Sequence, residues 1–364
     1  MSQQVKETYK VAPSLVFFLV TSAQVGVGIL GFERILAKVA GYDGWIGVIA
    51  GGAMVNISIF IMYKLLKEGR GNLVYIHQTL FGKWIGNGLN IVLALHFWNS
   101  AYTVLRTYIE VIQVWMFPSL PSWFPALFFL FLAYYIISSG FQVITGICYF
   151  GVILPFWLFM TLVYPLEYAH FDNLLPMFTH SVKELWEATI SMSLSYIGYE
   201  TLLIYYPFIQ KPEKSHKYAQ FGALFTTFLY LVVCLVSFAF FSEKQLLASV
   251  WPHLTMTKVV EFTFLQRFEY VQISFWLLVV MPNIVLFFWA ASRIVRDVAK
   301  IHQRFPLIGM LLLFFVYVYY VDDRAEIDIV NTFNGRFGFY FIYVYIPFLY
   351  VVQKIVKKVR SGNQ

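Results

Sequence analysis

About ten apolar stretches, each close to the length that crosses a lipid bilayer, follow one another along this sequence. A membrane-spanning helix takes about 20 apolar residues. Backbone groups inside lipid have no water to bond to, so such a stretch adopts a helix, which bonds them internally. The sequence therefore predicts an all-α integral membrane protein with about ten transmembrane helices. The predicted spans are Ala12–Ala37, Trp45–Leu66, Gly86–Met116, Trp123–Ser139, Val143–Tyr164, Leu185–Phe208, Ala219–Phe241, Val271–Ile294, Phe305–Tyr320 and Phe337–Val356.

The composition excludes a soluble protein. Hydrophobic residues make up 60% of the 364 positions and charged residues 12%, with a mean hydropathy of +0.69. Soluble domains carry about 25% charged residues. Cys148 and Cys234 both lie in apolar spans, which predicts buried thiols and no disulfide framework. The sequence has no recognisable metal-ligand spacing, phosphate loop or nucleophile triad, so we expect neither an enzyme nor a bound cofactor or metal.

Basic residues are distributed unequally between the two sets of loops. With both termini in the cytoplasm, 17 of the 26 Lys and Arg residues lie on the cytoplasmic side, 8 on the outer side, and Arg106 inside a span. This bias is typical of an even number of spans with inward termini. The distribution of basic residues orients the chain, and the net charge of +7 is explained by contact of these residues with anionic lipid. The charge therefore does not indicate a nucleic-acid-binding surface. The outer loop Ser242–Gln266 is long enough for a lid, a partner surface or a structured linker.

Two glycine-interrupted segments open the two halves of the chain. They are Ala23–Gly31 and Ser193–Glu200, each inside a predicted span. Clustered glycines let backbone peptides leave the helix, and lipid tolerates this only where the freed groups face a cavity or a ligand. We expect one transmembrane domain over residues 1–364, with a first repeat at about 12–165 and a second at about 182–356. Broken helices in matching positions of two repeats indicate a binding site at the bilayer midplane.

Depth within the spans predicts which residues meet there. In a five-plus-five inverted repeat, the first, third, sixth and eighth helices surround one site. The free N–H groups at the first break favour a carboxylate, and the unwound carbonyls of Ser195 and Tyr196 favour an ammonium group. Ile197 and Tyr102 are expected to form the wall around a small zwitterion such as an amino acid. The alternative is that the glycines only allow close helix packing. The predicted ligand-binding residues are Gly26, Val27, Gly28, Ser100, Tyr102, Ser195, Tyr196, Ile197, Gly198 and Asn283.

Charged and titratable residues inside the spans are functional candidates. Arg106 and Glu110 are four residues apart on one helix face, which predicts a structural pair. Glu200 follows the second break and is a candidate cap for unwound backbone or a coupling group. His96 is predicted to be a hydrogen-bonded core histidine, with a proton relay as the alternative.

The ordered set of short motifs resembles the spore germinant receptor B subunits of endospore-forming bacteria. The motifs are Gln24–Leu30, Asp43–Ile46, Phe81–Gly86, Ser195–Glu200, Trp251-Pro252, Arg267–Glu269 and Asp322-Asp323, and they cover almost the whole chain. The resemblance implies a LeuT-like fold of the amino acid–polyamine–organocation superfamily with broken first and sixth helices. It also implies a nutrient-sensing subunit in the spore inner membrane, assembled with A and C receptor subunits and triggering germination.

The sequence departs from that family at Gly31–Arg34, at the outer end of the first predicted helix, where a Leu-Pro-Arg-like run is expected. The alternative function is a proton- or sodium-coupled amino-acid permease. Related proton-coupled permeases can use a lysine in the fifth helix, and Val143–Tyr164 has none. Sodium-coupled relatives use small hydroxyl residues on the eighth helix, where Phe287–Trp289 stand instead. Both differences favour sensing over pumping, while the nutrient itself stays open.

Overall fold

The computed structural model describes residues 5–260, 262, 267–320 and 324–362, without the side chains of 324, 325 and 360–362. In these residues the regular structure is helical, apart from one isolated β-bridge between Val11 and Ile209. The first half forms α1 (Val16–Gln24), α2 (Phe32–Ala40), α3 (Trp45–Gly69), α4 (Leu73–Trp115), α5 (Trp123–Ser138), α6 (Phe141–Ile153), α7 (Phe156–Met160) and α8 (Val163–Leu166).

The second half has the same character. It forms α9 (Val182–Ser195), α10 (Leu202–Tyr205), α11 (Pro212–Phe240), α12 (Glu243–Ala248), α13 (Pro252–Met256), α14 (Phe268–Ala299), α15 (Arg304–Tyr320), α16 (Arg324–Tyr340) and α17 (Ile346–Gly362). A π-helical turn at Phe341–Tyr345 joins α16 to α17. The last helix therefore begins 13 residues before the predicted span at Phe337, because polar residues of α16 continue the helix beyond the apolar stretch.

Both predicted helix breaks are present. The first lies between α1 and α2, where Val25 has the extended angles φ −87° and ψ 109°. The second lies between α9 and α10, where Gly198 has φ +128°, a region that favours glycine. α4 also changes direction at Gly82, whose φ is +75°.

Five helical stretches in the described chain are long and apolar enough to cross a membrane. They are Phe32–Gly69, Phe141–Leu166, Pro212–Phe240, Phe268–Ala299 and Glu326–Val359. α1, α5 and α15 are shorter apolar helices. α4 and α9 belong to neither set: α4 carries buried polar side chains such as Asn90 and Arg106, and α9 carries exposed charged ones such as Lys183 and Glu187. α14 packs along α4 at this centre, with α1, α3, α6, α9 and α11 around them.

One carboxylate joins the α2–α3 loop to the segment before α9. Asp43 accepts hydrogen bonds from the backbone N–H groups of Phe178 and Thr179, both at 2.8 Å, and lies 3.0 Å from Nδ1 of His180. Burial alone raises the pKa of Asp43, but the hydrogen bonds from His180 and the three backbone donors outweigh it and lower the pKa to about 2. Asp43 is therefore ionised at neutral pH and fixes the α2–α3 loop against the segment before α9.

Candidate functional site

The two broken helices meet backbone to backbone. A Cβ atom on Gly198 would lie 2.1 Å from the carbonyl oxygen of Ala23, so only glycine fits at this crossing. Beside it, the Gln24 side chain donates to the carbonyl of Tyr196 at 3.2 Å. The position that would carry a Cβ on Gly28 lies 3.7 Å from Ser195. The first break thus touches the second at several points along its length.

Two side chains of α14 hold the unwound carbonyls of the first break. The amide of Asn283 donates to the carbonyl oxygens of Ser22 at 2.8 Å and of Val25 at 3.0 Å. The indole of Trp276 donates to the carbonyl oxygen of Gly26 at 3.2 Å. Asn283, Trp276 and Ser22 are buried and Val25 is half-buried, and an unpaired buried carbonyl costs about 1–3 kcal/mol. Asn283 therefore stabilises the unwound backbone of the first break by hydrogen bonds, in addition to any contact with a ligand.

The N–H groups of the first break are left open. Among the residues that the structure describes, no acceptor bonds to the backbone N–H groups of Gly26, Val27 and Gly28. Free N–H groups next to a helix break are donors of the kind that bind anions in other proteins. That Gly26, Val27 and Gly28 bind a carboxylate stays a prediction.

The carbonyls of the second break already have protein donors. The hydroxyl of Tyr230 lies 3.2 Å from the carbonyl oxygens of both Ser195 and Gln24, and Gln24 donates to Tyr196. Each carbonyl oxygen has two lone pairs, so one remains on each of Ser195 and Tyr196. An ammonium group at this position would share these oxygens with Tyr230 and Gln24.

The remaining predicted residues point in different directions. Ser100 lies 3.1 Å from the Asn334 amide of α16, and Ile197 packs against Gly338 on the same helix. Tyr102 is directed away from the breaks, with its ring 4.5 Å from that of Tyr317 on α15. Two residues along a helix turn the side chain by about 200°, so Ser100 and Tyr102 cannot face the same way. The expectation that Tyr102 forms the wall is thus corrected to Tyr102 packing against α15.

Tyr196 also turns its side chain away from the first break. Its hydroxyl donates to the carbonyl of Val48 on α3 at 3.2 Å, and its ring packs edge-on to Tyr230. The contribution of Tyr196 to the site is therefore its backbone carbonyl.

A buried acid and a buried histidine lie behind the second break. Glu200 accepts a hydrogen bond from the N–H of Gly198 at 2.7 Å, which caps the unwound backbone. Its other oxygen lies 3.6 Å from Nε2 of His96, and both side chains have at most 1% exposure. Within the described chain neither ring nitrogen of His96 has a hydrogen-bond partner. The expectation of a hydrogen-bonded core histidine is therefore wrong: the Glu200 oxygen lies beyond hydrogen-bond distance, and the ring packs against those of Phe97, Phe337 and Phe341.

Three other charged residues, Glu33 of α2 and Arg106 and Glu110 of α4, are also buried. The departure at Gly31–Arg34 does not disturb the first helix, because α2 runs through it with Glu33 fully buried. Arg106 and Glu110 both lie inside the bundle on α4, and Arg106 is 3.4 Å from the Gln113 side chain. Their pairing stays a prediction.

The loop after α11, which contains α12 and α13, covers one side of the first break. Arg34 donates to the carbonyl of Leu247 at 2.9 Å, and the position of a Cβ on Gly31 lies 2.9 Å from the Val250 carbonyl. Beneath the loop is a cavity of about 70 Å³, lined mainly by apolar residues of α1, α6, α7, α11 and α14, together with His253 of α13. Burial lowers the pKa of His253 to about 4, so its ring is neutral at neutral pH. Glu261 and residues 263–266 of this loop, and the motif Asp322-Asp323, lie outside the described residues.

Tyr230 and Trp276 were not identified from the sequence as hydrogen-bond donors to the carbonyls of the breaks. Gln24 directly precedes the first break, and this position was a usable signal. Tyr230 and Trp276 are two among 25 tyrosines and 10 tryptophans in apolar helices, where nothing in the pattern distinguishes a hydrogen-bonding ring from a packing one.

Two interrupted helices crossing at the centre of a helical bundle define a protein with a transporter fold. The structure matches that of a Na+-coupled sialic acid symporter in a substrate-bound outward-open state with a TM-score of 0.69. The match covers 92% of this chain and 79% of the symporter at 9% identity, and it establishes the fold. The fold is therefore all-α and LeuT-like, as the resemblance implied.

The chain belongs to the spore germination protein family, the spore permeases, whose family model matches residues 10–327. It is 42% identical to spore germination protein GerQB of Bacillus cereus, over 98% of this chain and 99% of that protein. It is 22% identical to spore germination protein YndE of Bacillus subtilis, over 95% and 96% of the two chains. The resemblance seen in the motifs is confirmed, and the chain is a membrane permease homologue rather than an enzyme.

Proposed function

We propose that this chain is the nutrient-sensing B subunit of a spore germinant receptor, and that a small amino-acid-like ligand binds where the two broken helices cross. The observation that carries the proposal is the row of free N–H groups on Gly26, Val27 and Gly28, beside carbonyls that have protein partners. A ligand carboxylate is the group that these donors fit. The family membership supports the link to germination.

The ligand's ammonium group would face the second break. The remaining lone pairs of the Ser195 and Tyr196 carbonyls are the acceptors there, and Ile197 limits the size of the ligand side chain. Asn283 keeps the first break open by holding two of its carbonyls. Ser100 acts through the last helix, since its hydroxyl lies against Asn334.

A sensor needs no coupling to an ion gradient. It must bind one conformation better than another, and a difference of a few kcal/mol shifts such an equilibrium strongly. Phe287, Phe288 and Trp289 are buried on α14, in the region where sodium-coupled relatives are expected to have small hydroxyl residues. We propose that the chain signals to A and C receptor subunits in the spore inner membrane, with both termini on the spore core side.

Filling the space over the free N–H groups tests the proposal. A Cβ on Gly28 would make only ordinary contacts, so Gly28→Ala leaves room for a ligand, whereas Gly28→Leu fills it. We expect spores with Gly28→Leu to lose the response to nutrients that trigger wild-type spores, and spores with Gly28→Ala to retain most of it. Immunoblots of inner-membrane fractions check that both variants accumulate. Equal responses in the two variants at equal abundance would refute the proposed site.

A further inference from the structure

A second cavity lies at the end of the bundle that carries the N-terminal segment. Its volume is about 580 Å³, far larger than the cavity beside the first break. The N-terminal segment at Lys6, the start of α6, Phe208, the end of α14 and the start of α15 form its walls. The basic loops predict that this end faces the cytoplasm.

Four of the five charged residues that line this cavity are cationic. They come from the N-terminal segment, α14 and the start of α15, and are Lys6, Arg293, Arg296 and Arg304. Asp297 is the acidic residue of the lining, and its carboxylate already lies 3.7 Å from Arg293 and 3.3 Å from the Asn72 amide. In the described ranges, no carboxylate forms an ion pair with Lys6, Arg296 or Arg304. The cavity therefore has an excess of positive charge.

Arg293 fixes the base of the cavity. Its side chain is 13% exposed, and its guanidinium lies over the Phe208 ring at 4.8 Å from the centroid. The Phe208 ring in turn packs edge-on against Trp289, 5.2 Å away. A guanidinium held on an aromatic ring loses little conformational freedom when it binds an anion.

Two helices begin at this cavity. Gly140 and Phe141, at the start of α6, belong to its lining, as do Gln303 and Arg304 at the start of α15. Helix N-termini carry a partial positive charge, which adds to that of the side chains. The C-terminal ends of α5 and α14 also reach this cavity and offset the two positive helix ends. The excess of positive charge therefore comes from the four cationic side chains, which favour an anion with several oxygens and more than one negative charge.

We propose that this cavity binds a phosphate group. Arginine forks bond a phosphate through two oxygens at once, and a tetrahedral anion presents oxygens to several walls together. The phosphate can belong to an anionic lipid headgroup or to a soluble ion or ester, since both present the same chemistry. A bound phosphate would connect the N-terminal segment, α14 and α15, whichever nutrient the central site binds.

The test compares two paired variants of the full chain. Arg296→Gln with Arg304→Gln removes two guanidinium groups from the cavity. As the control, Lys214→Gln with Lys217→Gln removes two charges from α11, on the side of the membrane that the cavity is also predicted to face. Inorganic phosphate is titrated into purified protein at constant ionic strength against chloride, with the unfolding midpoint and calorimetric affinity as readouts. Native mass spectrometry measures retention of phosphatidylglycerol against phosphatidylcholine, whose phosphate carries its own ammonium counter-charge.

We expect the arginine pair to weaken binding by about a hundredfold, roughly tenfold for each lost charge-assisted fork, and the lysine pair to change it less than about twofold. Phosphate-specific stabilisation supports a soluble ligand, and selective retention of phosphatidylglycerol supports a lipid headgroup. The proposal is overturned if the wild type shows neither effect, or if both variant pairs weaken binding equally. Arg296→Lys with Arg304→Lys keeps the charge and removes the forks, so it serves as the test if the glutamine pair does not fold.

Discussion

Replacing Gly198 by alanine probes the contact between the two broken helices. Alanine at φ +128° carries a left-handed backbone penalty of about 1–2 kcal/mol. Its Cβ would also lie 2.1 Å from the Ala23 carbonyl oxygen, where real contacts stay beyond 3.0 Å, so the breaks must separate by about 1 Å. Overpacking of this kind costs about 1–3 kcal/mol. The substitution should therefore reduce the free energy of unfolding by about 2–5 kcal/mol.

Gly146→Ala is the matched control. Gly146 lies in α6, its φ is not positive, and a Cβ there meets nothing within 4 Å. Alanine is the better helix former by about 1 kcal/mol, so the control should unfold at the same temperature as the wild type or slightly higher. Thermal unfolding of the two purified variants in one detergent measures the difference directly.

A second readout connects this contact with function. Spores that carry Gly198→Ala should respond to nutrients more weakly than spores that carry Gly146→Ala, because the donors of the first break move relative to the second. If Gly198→Ala unfolds and responds like the wild type, the two breaks do not touch as described, and the reasoning from their geometry is wrong.

Four further outcomes are expected. Asn283→Ala should lower the free energy of unfolding by about 2–4 kcal/mol, since it removes the side-chain donor of the Ser22 and Val25 carbonyls, and an unchanged unfolding midpoint would contradict this. The lowered pKa of Asp43 means that its contribution to stability is complete above about pH 4 and is lost as the pH falls through about 2; hydrogen exchange at residues 178–180 should accelerate over that range, but not in Asp43→Asn. Single cysteines at Lys211 and Lys244, on a background lacking Cys148 and Cys234, should label from the inner and outer side respectively, and the reverse pattern would invert the topology. Liposomes containing this chain alone should show no amino-acid accumulation driven by a proton or sodium gradient, and accumulation would establish the permease alternative.

The breaks could be predicted from sequence because glycine is a local signal. Gly26, Gly28 and Gly198 weaken the helix where they stand, whatever surrounds them. The direction of a side chain is a tertiary property, and here prediction failed: Tyr102 was assigned to the site by its depth, although its position around the helix points it at α15. The depth of a residue along a helix and its angle around the helix axis are separate coordinates. In a helix that is apolar on all sides, the hydropathy pattern gives the depth but not the angle.

Helix boundaries show a related limit. Hydropathy placed the start of the last helix at Phe337, but α16 begins at Arg324, because a helix continues through polar residues wherever its backbone stays bonded. The turns of α16 that precede Phe337 matter for the candidate site, since they contain Asn334, whose side chain hydrogen-bonds that of Ser100. The roles of Tyr230 and Trp276 could not be predicted either, because each depends on a carbonyl of the first break, more than 200 residues away.

An anchor built from main-chain N–H groups has an evolutionary consequence. A mutation replaces side chains and leaves the peptide groups of Gly26, Val27 and Gly28 in place, so gene duplication can produce copies that share the anchor and differ only around it. Under the proposed function, a lineage could acquire new nutrient preferences one substitution at a time, at positions such as Ile197, without first losing its hold on the carboxylate. Differences in nutrient specificity among such receptors would then come from the residues that face the ligand's side chain, while the contacts with the ligand's carboxylate stay the same.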